Sequence, residues 1–168
     1  YKRQALTHLL DYQAEDFYQM FQTVGEKPMI IRLLDPPMHE FLPKDQLEIA
    51  LLAEKLNKKA SQLERKITQL QETNPMLGHR GCRLGITLPD IYKMQIEAIF
   101  RSAIRLQQEG NPVRPEIMIP LIATKSELVY LKKLLIKHIE WIFKKHQCSP
   151  FPYDICLLYT SPSPRDRG

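Results

Sequence analysis

Two short apolar runs, each followed by an amphipathic helical pattern, predict an α/β fold on a parallel sheet. The runs are Met29 to Leu34 and Glu116 to Leu121. Both are nearly continuous rather than alternating, as strands buried on two faces are. The order strand, helix, strand, helix at this spacing is the third observation, because it is the pattern of βα units. On these residues alone a doubly wound sheet and a barrel are not distinguished.

The elements follow in order. Leu6, Leu9, Leu10, Phe17, Met20 and Phe21 recur at helical steps across residues 3 to 23, with a break expected near Asp11 and an end at Gly25. Asp35-Pro36-Pro37 stops the first strand, since proline cannot continue a buried ladder. From Lys44 to Glu72 two short helices are expected, split near Asn57, with Leu47, Ala50, Leu51 and 53–56 on one apolar face and Leu63, Ile67 and Leu70 on the other. That stretch reads as a packing insertion. Thr87 with Asp90 is read as a capping box opening a helix through Tyr92, Ile96, Ile99, Ala103 and Leu106, which Gly110-Asn111-Pro112 ends. Thr124 with Glu127 is a second capping box, and Leu128, Leu131, Leu135, Ile139 and Ile142 carry its helix.

Composition bounds the function classes. At 168 residues there is enough chain for one real core. The net charge of +5 is mild, and Lys132, Lys133, Lys137, Lys144 and Lys145 sit on one helical pattern, which reads as a solvated face and not a nucleic-acid footprint. Cys82, Cys148 and Cys156 form neither a C-x-x-C nor an even framework, so reduced thiols in an intracellular protein are expected. Lys137, His138 and Glu140 interrupt the most apolar run, which excludes a membrane span there. The chain opens at Tyr1 within a helical pattern, so a truncated N-terminus is expected.

Chemistry concentrates in Asn74-Pro75-Met76-Leu77-Gly78-His79-Arg80-Gly81-Cys82-Arg83. Arginine's planar fork grips phosphate or carboxylate through parallel hydrogen bonds, and the glycines let backbone N–H groups approach an anion. Arg32, inside the first apolar run, is the second candidate, because a guanidinium there must meet an anion or a carboxylate. Active-site groups in parallel α/β folds gather at the carboxyl ends of the strands, where Arg32 and Asp35 fall. His39-Glu40 lacks the second histidine of a zinc motif, since position 43 is proline.

These residues together resemble the pyruvate, phosphate dikinase family of phosphoenolpyruvate-utilising enzymes. The resemblance rests on Ile31-Arg32-Leu33-Leu34-Asp35-Pro36-Pro37 with His39-Glu40-Phe41-Leu42-Pro43, the Asn74–Arg83 loop, Lys93-Met94-Gln95 and Glu116 to Leu121, and covers residues 1 to 155. It implies an incomplete piece, three to four βα units, of a (β/α)8 TIM-type barrel that binds pyruvate and phosphoenolpyruvate. By the same resemblance Arg32 and Arg80 bind the phosphoryl group, with Asp35, Asn74 and Arg83 in support. Magnesium, with ligands beyond residue 155, a phosphohistidine domain of the same parent chain, a homodimeric parent and a cytoplasmic, plastid or glycosomal site are also implied. No catalytic or metal-binding residue, nucleic acid or membrane partner is expected for this piece, which is expected to be inactive alone. Residues 156–168, ending in Ser-Pro-Ser-Pro-Arg-Asp-Arg-Gly, are expected to be a tail of separate origin, artefactual or disordered. Two other readings stay open. One is a relative of phosphoenolpyruvate synthase or of enzyme I of the phosphotransferase system; the other is a non-catalytic anion-binding α/β module.

Overall fold

The computed structural model describes residues 2–36, 42–70 and 78–157. The elements run α1 (Lys2–Val24), β1 (Pro28–Arg32), α2 (Gln46–Lys55), α3 (Ala60–Leu70), α4 (Cys82–Thr87), α5 (Pro89–Gln108), β2 (Arg114–Ile119), α6 (Lys125–Lys145) and β3 (Asp154–Leu157). They divide into two compact units, residues 1–35 with 81–168, and residues 36–80.

In the first unit the three strands form a parallel sheet in the order β1-β2-β3. Register sets what each face carries. Ile31 pairs with Ile117 and Ile117 with Ile155, and this row lies beneath the helices. There Ile31, Leu33, Ile117 and Ile119 join a core with Phe17 and Phe21 of α1, Ile96, Ile99, Phe100 and Ala103 of α5, and Leu131, Leu135, Ile139 and Ile142 of α6. Each large aliphatic side chain so buried contributes roughly 1.5–3 kcal/mol. The opposite row is Ile30, Glu116 and Asp154, then Arg32, Met118 and Cys156. No helix layer of this unit covers that row among the described residues, and Ile30 is 56% exposed. β1 is therefore buried on one face only, not on the two that its continuous apolar run predicts.

Two further expectations are corrected. α1 runs unbroken through Asp11, whose exposed carboxylate pairs with Arg101 of α5 at 2.8 Å and so costs the helix little. Thr87 does not cap α5. It is the last residue of α4, and its hydroxyl donates to the Arg83 and Leu84 carbonyls at 3.0 and 3.3 Å. α5 begins instead on Pro89, whose fixed φ and missing N–H suit a first helical position. The Thr124 capping box is present as read, with Glu127 Oε2 accepting from the Thr124 N–H at 2.8 Å. β3 continues through Cys156 and Leu157, which pair with Met118 and Ile119.

The second unit is a helical hairpin. Asp45 caps α2 by accepting from the Glu48 N–H at 2.7 Å, and Asn57, at φ 52°, turns the chain toward α3. Its core is Ile49 and Ala53 against Leu63 and Ile67. Leu47 and Leu51, read as part of the apolar face, are 77% and 59% exposed. The stripe that meets α3 is the i, i+4 pair of Ala53, which the expected face included, and Ile49, which it did not.

Candidate functional site at the carboxyl end of the sheet

Arg32 is the last residue of β1 and projects from the uncovered row of the sheet. Its side chain is 46% exposed, so it is not the buried arginine that the apolar run suggests. Its Nη2 donates to Oδ2 of Asp35, three residues on, and the Asp35 side chain is only 6% exposed. A nearly buried carboxylate thus holds an arginine side chain that stays half exposed. Five N–H donors in a rigid plane leave an arginine so held able to accept a second anion.

The backbone beneath this pair is fixed from two sides. The Leu33 N–H donates to the Met118 carbonyl at 2.9 Å, which carries the β1-β2 ladder one residue past the strand. On the other side, the Leu34 N–H donates to Oε1 of Gln95 at 2.8 Å, and Nε2 of Gln95 donates to the Arg32 carbonyl at a longer 3.4 Å. Gln95, on α5, is 4% exposed. Sequence reading assigned it no role. The signal was a polar residue on an otherwise apolar helix face, between Tyr92 and Ile99.

Gly81 borders the site beside Asp35 and Leu121. Its φ of 57° lies where glycine is favoured, and a Cβ there would stand 3.0 Å from Asp35 Oδ1 and 3.1 Å from Leu121. Cys82 is fully buried, its thiol donating to the Leu121 carbonyl at 3.0 Å, and burial pushes its pKa up. That makes it a packing thiol, not a nucleophile. Tyr92 is also fully buried, and among the described residues its hydroxyl has no hydrogen-bond partner. Burial foremost, then the neighbouring Cys82 and Asp35, push the phenol pKa well above its ordinary value, so it stays a neutral donor.

Of the other sequence candidates, Arg83 lies on α4 close enough to Glu127 to help keep that carboxylate ionised, after the stronger effect of the Ala123 and Thr124 N–H groups. The structure therefore places Arg32, Asp35 and Gly81 together and Arg83 beside α6. Arg80 belongs to the second unit, where its N–H donates to the Gly78 carbonyl at 2.9 Å. Asn74, His39 and Glu40 lie outside the described residues. Among the described residues no group of three or more His, Cys, Asp or Glu side chains could hold a metal ion, so the residues described do not assemble a magnesium site. No described helix is long and apolar enough to cross a membrane.

Residues 1–155 match the family described as PEP-utilising enzyme, PEP-binding domain. Among curated proteins, the pyruvate, phosphate dikinase of Clostridium symbiosum is 40% identical over 162 residues, which is 96% of this chain and 18% of that protein. The Rhizobium meliloti protein of the same name is 48% identical over 132 residues, 78% of this chain and 15% of its own length. A pyruvate, phosphate dikinase of Flaveria trinervia described as chloroplastic is 47% identical over 129 residues, 76% of this chain and 14% of its own. The chain thus spans less than a fifth of these relatives' length.

Proposed function

Since the chain belongs to the PEP-utilising enzymes, whose PEP-binding domain it matches over residues 1–155, we propose that it forms part of the phosphoenolpyruvate and pyruvate site of a pyruvate, phosphate dikinase. Such an enzyme is a phosphotransferase, interconverting ATP, pyruvate and phosphate with AMP, phosphoenolpyruvate and diphosphate. One observation carries the reading for this chain: an arginine at the carboxyl end of a parallel strand, anchored by a nearly buried aspartate and still open to solvent. That is where parallel α/β folds bind ligands, and in the form that a phosphoryl group needs.

In this reading Arg32 and Arg80 hold the phosphoryl oxygens, and Asp35, Asn74 and Arg83 support them. The phosphoryl group leaves a phosphohistidine nitrogen, breaking a P–N bond, and forms a P–O bond to the enolate oxygen of pyruvate. Phosphoryl transfer is largely positioning and charge stabilisation, so fixed guanidinium groups lower its barrier without exchanging protons. Magnesium, when bound by residues elsewhere in such an enzyme, would polarise the enolate oxygen. The uncovered sheet face is then the lining of a barrel completed by strands outside this chain, and the 168-residue chain alone turns nothing over.

The test is turnover of a full-length enzyme carrying this segment, with Arg80→Ala. A fall of several orders of magnitude is expected. A loss below about tenfold, worth roughly 1.4 kcal/mol, would reduce Arg80 to a structural part and favour a non-catalytic module.

A further inference from the structure

We propose that Gln95 is a positioning residue for the anion site: its buried side-chain amide fixes the backbone on either side of Leu33 and thereby aims the Arg32 guanidinium. The inference rests on the reading of Arg32 as a phosphoryl ligand and adds a residue that acts through it.

The geometry is specific. β1 ends at Arg32, and beyond it the ladder supplies one more bond, from the Leu33 N–H to Met118. The next N–H, that of Leu34, has no strand acceptor and takes Gln95 Oε1 at 2.8 Å instead. The same amide reaches back to the Arg32 carbonyl. The two contacts settle which way the amide faces, since the Leu34 N–H can meet only an acceptor. One side chain from α5, 61 residues away in sequence, therefore ties both ends of the two-peptide step between Arg32 and Leu34. Asp35 follows directly, so the same tie sets where its carboxylate meets the Arg32 guanidinium.

Burial makes the arrangement hard to explain as packing alone. Gln95 is 4% exposed on a helix whose neighbouring inward positions, Tyr92, Ile96 and Ile99, are apolar. An amide there carries a desolvation cost that a leucine would not. What it provides is a defined partner for backbone groups at a strand end. A site loosened by 1 Å loses on the order of 10²-fold in rate when it works by positioning.

The experiment is a double-mutant cycle in a full-length enzyme carrying this segment, reading kcat/KM for phosphoenolpyruvate. Gln95→Leu is made in the unmodified background and in an Arg32→Lys background, and thermal midpoints are followed in parallel. The expected result is a loss of roughly thirtyfold or more from Gln95→Leu alone, by the positioning argument above, and less than about threefold in the Arg32→Lys background, because a residue acting through Arg32 has little left to spoil. Equal losses in both backgrounds, or none in either, overturn the inference while leaving Arg32 as a ligand. No loss from Arg32→Lys itself overturns the reading on which the inference stands, and the inference with it. Where Gln95→Leu does not yield folded enzyme, Gln95→Glu carries the same comparison, since it keeps an acceptor for the Leu34 N–H.

Discussion

A methyl group added at Gly85 would stand 2.4 Å from the Tyr92 ring, well inside van der Waals contact, and the ring is fully buried with no room to retreat. Gly85→Ala is therefore expected to destabilise the protein by about 1–3 kcal/mol, the range for overpacked cores, as measured by denaturant unfolding. An unchanged midpoint would show that α4 and α5 can slide apart. Residue identity was legible in the sequence where chemistry is local. Thr124 with Glu127, three residues on, is a contact between near neighbours, and it forms as spaced. Gln95 and the Gly85–Tyr92 fit were not legible, because their partners are set by the fold: Gln95 meets a backbone segment 61 residues away, and Gly85 matters only through a ring packed over it.

At the scale of elements, periodicity located α1, α5 and α6 and the strands β1 and β2, because each buries one continuous stripe against the same core. It misjudged what covers β1. A run such as Met29 to Leu34 is apolar on both faces whether or not a second layer is present, so the sequence could not show that Ile30 is exposed. It also misassigned Thr87, since the Thr-x-x-Asp spacing fits a helix start while Pro89 decides where α5 begins. α6 carries a pH dependence of its own. His138 donates from Nε2 to the Lys93 carbonyl, 3.1 Å away. Burial foremost holds its pKa below the ordinary histidine value, with Glu97 opposing and Lys93 assisting. His146, at the end of the helix, is shifted the same way by burial and then by Lys145. Between these lowered values and about 6.5 the unfolded chain binds more protons than the folded one, so stability rises with pH there. The contribution is fully present above about pH 6.5 and is lost as pH falls below it. His138→Gln is expected to flatten the difference between thermal midpoints at neutral and mildly acidic pH. An identical difference in the variant would place the effect in other groups.

For the whole molecule, the two edges of the sheet and its uncovered row dominate behaviour. Among the described residues β1 and β3 are both edge strands, and Ile30 and Leu157 are exposed. Open strands with apolar side chains template further pairing, so the 168-residue chain is expected to self-associate as its concentration rises in sedimentation experiments, and Ile30→Lys to reduce this. A chain that stays monomeric would mean that these edges are protected. Arg32, the proposed phosphoryl ligand, leaves the sheet from the same open row. The most direct measurement is a structure of a full-length enzyme carrying this segment with phosphoenolpyruvate bound. Phosphoryl oxygens are expected at roughly 2.7–2.9 Å from the guanidinium groups of Arg32 and Arg80, with Asp35 still on Arg32. Phosphoenolpyruvate bound elsewhere, with Arg32 held only by Asp35, would contradict this and leave the pair a structural ion bridge.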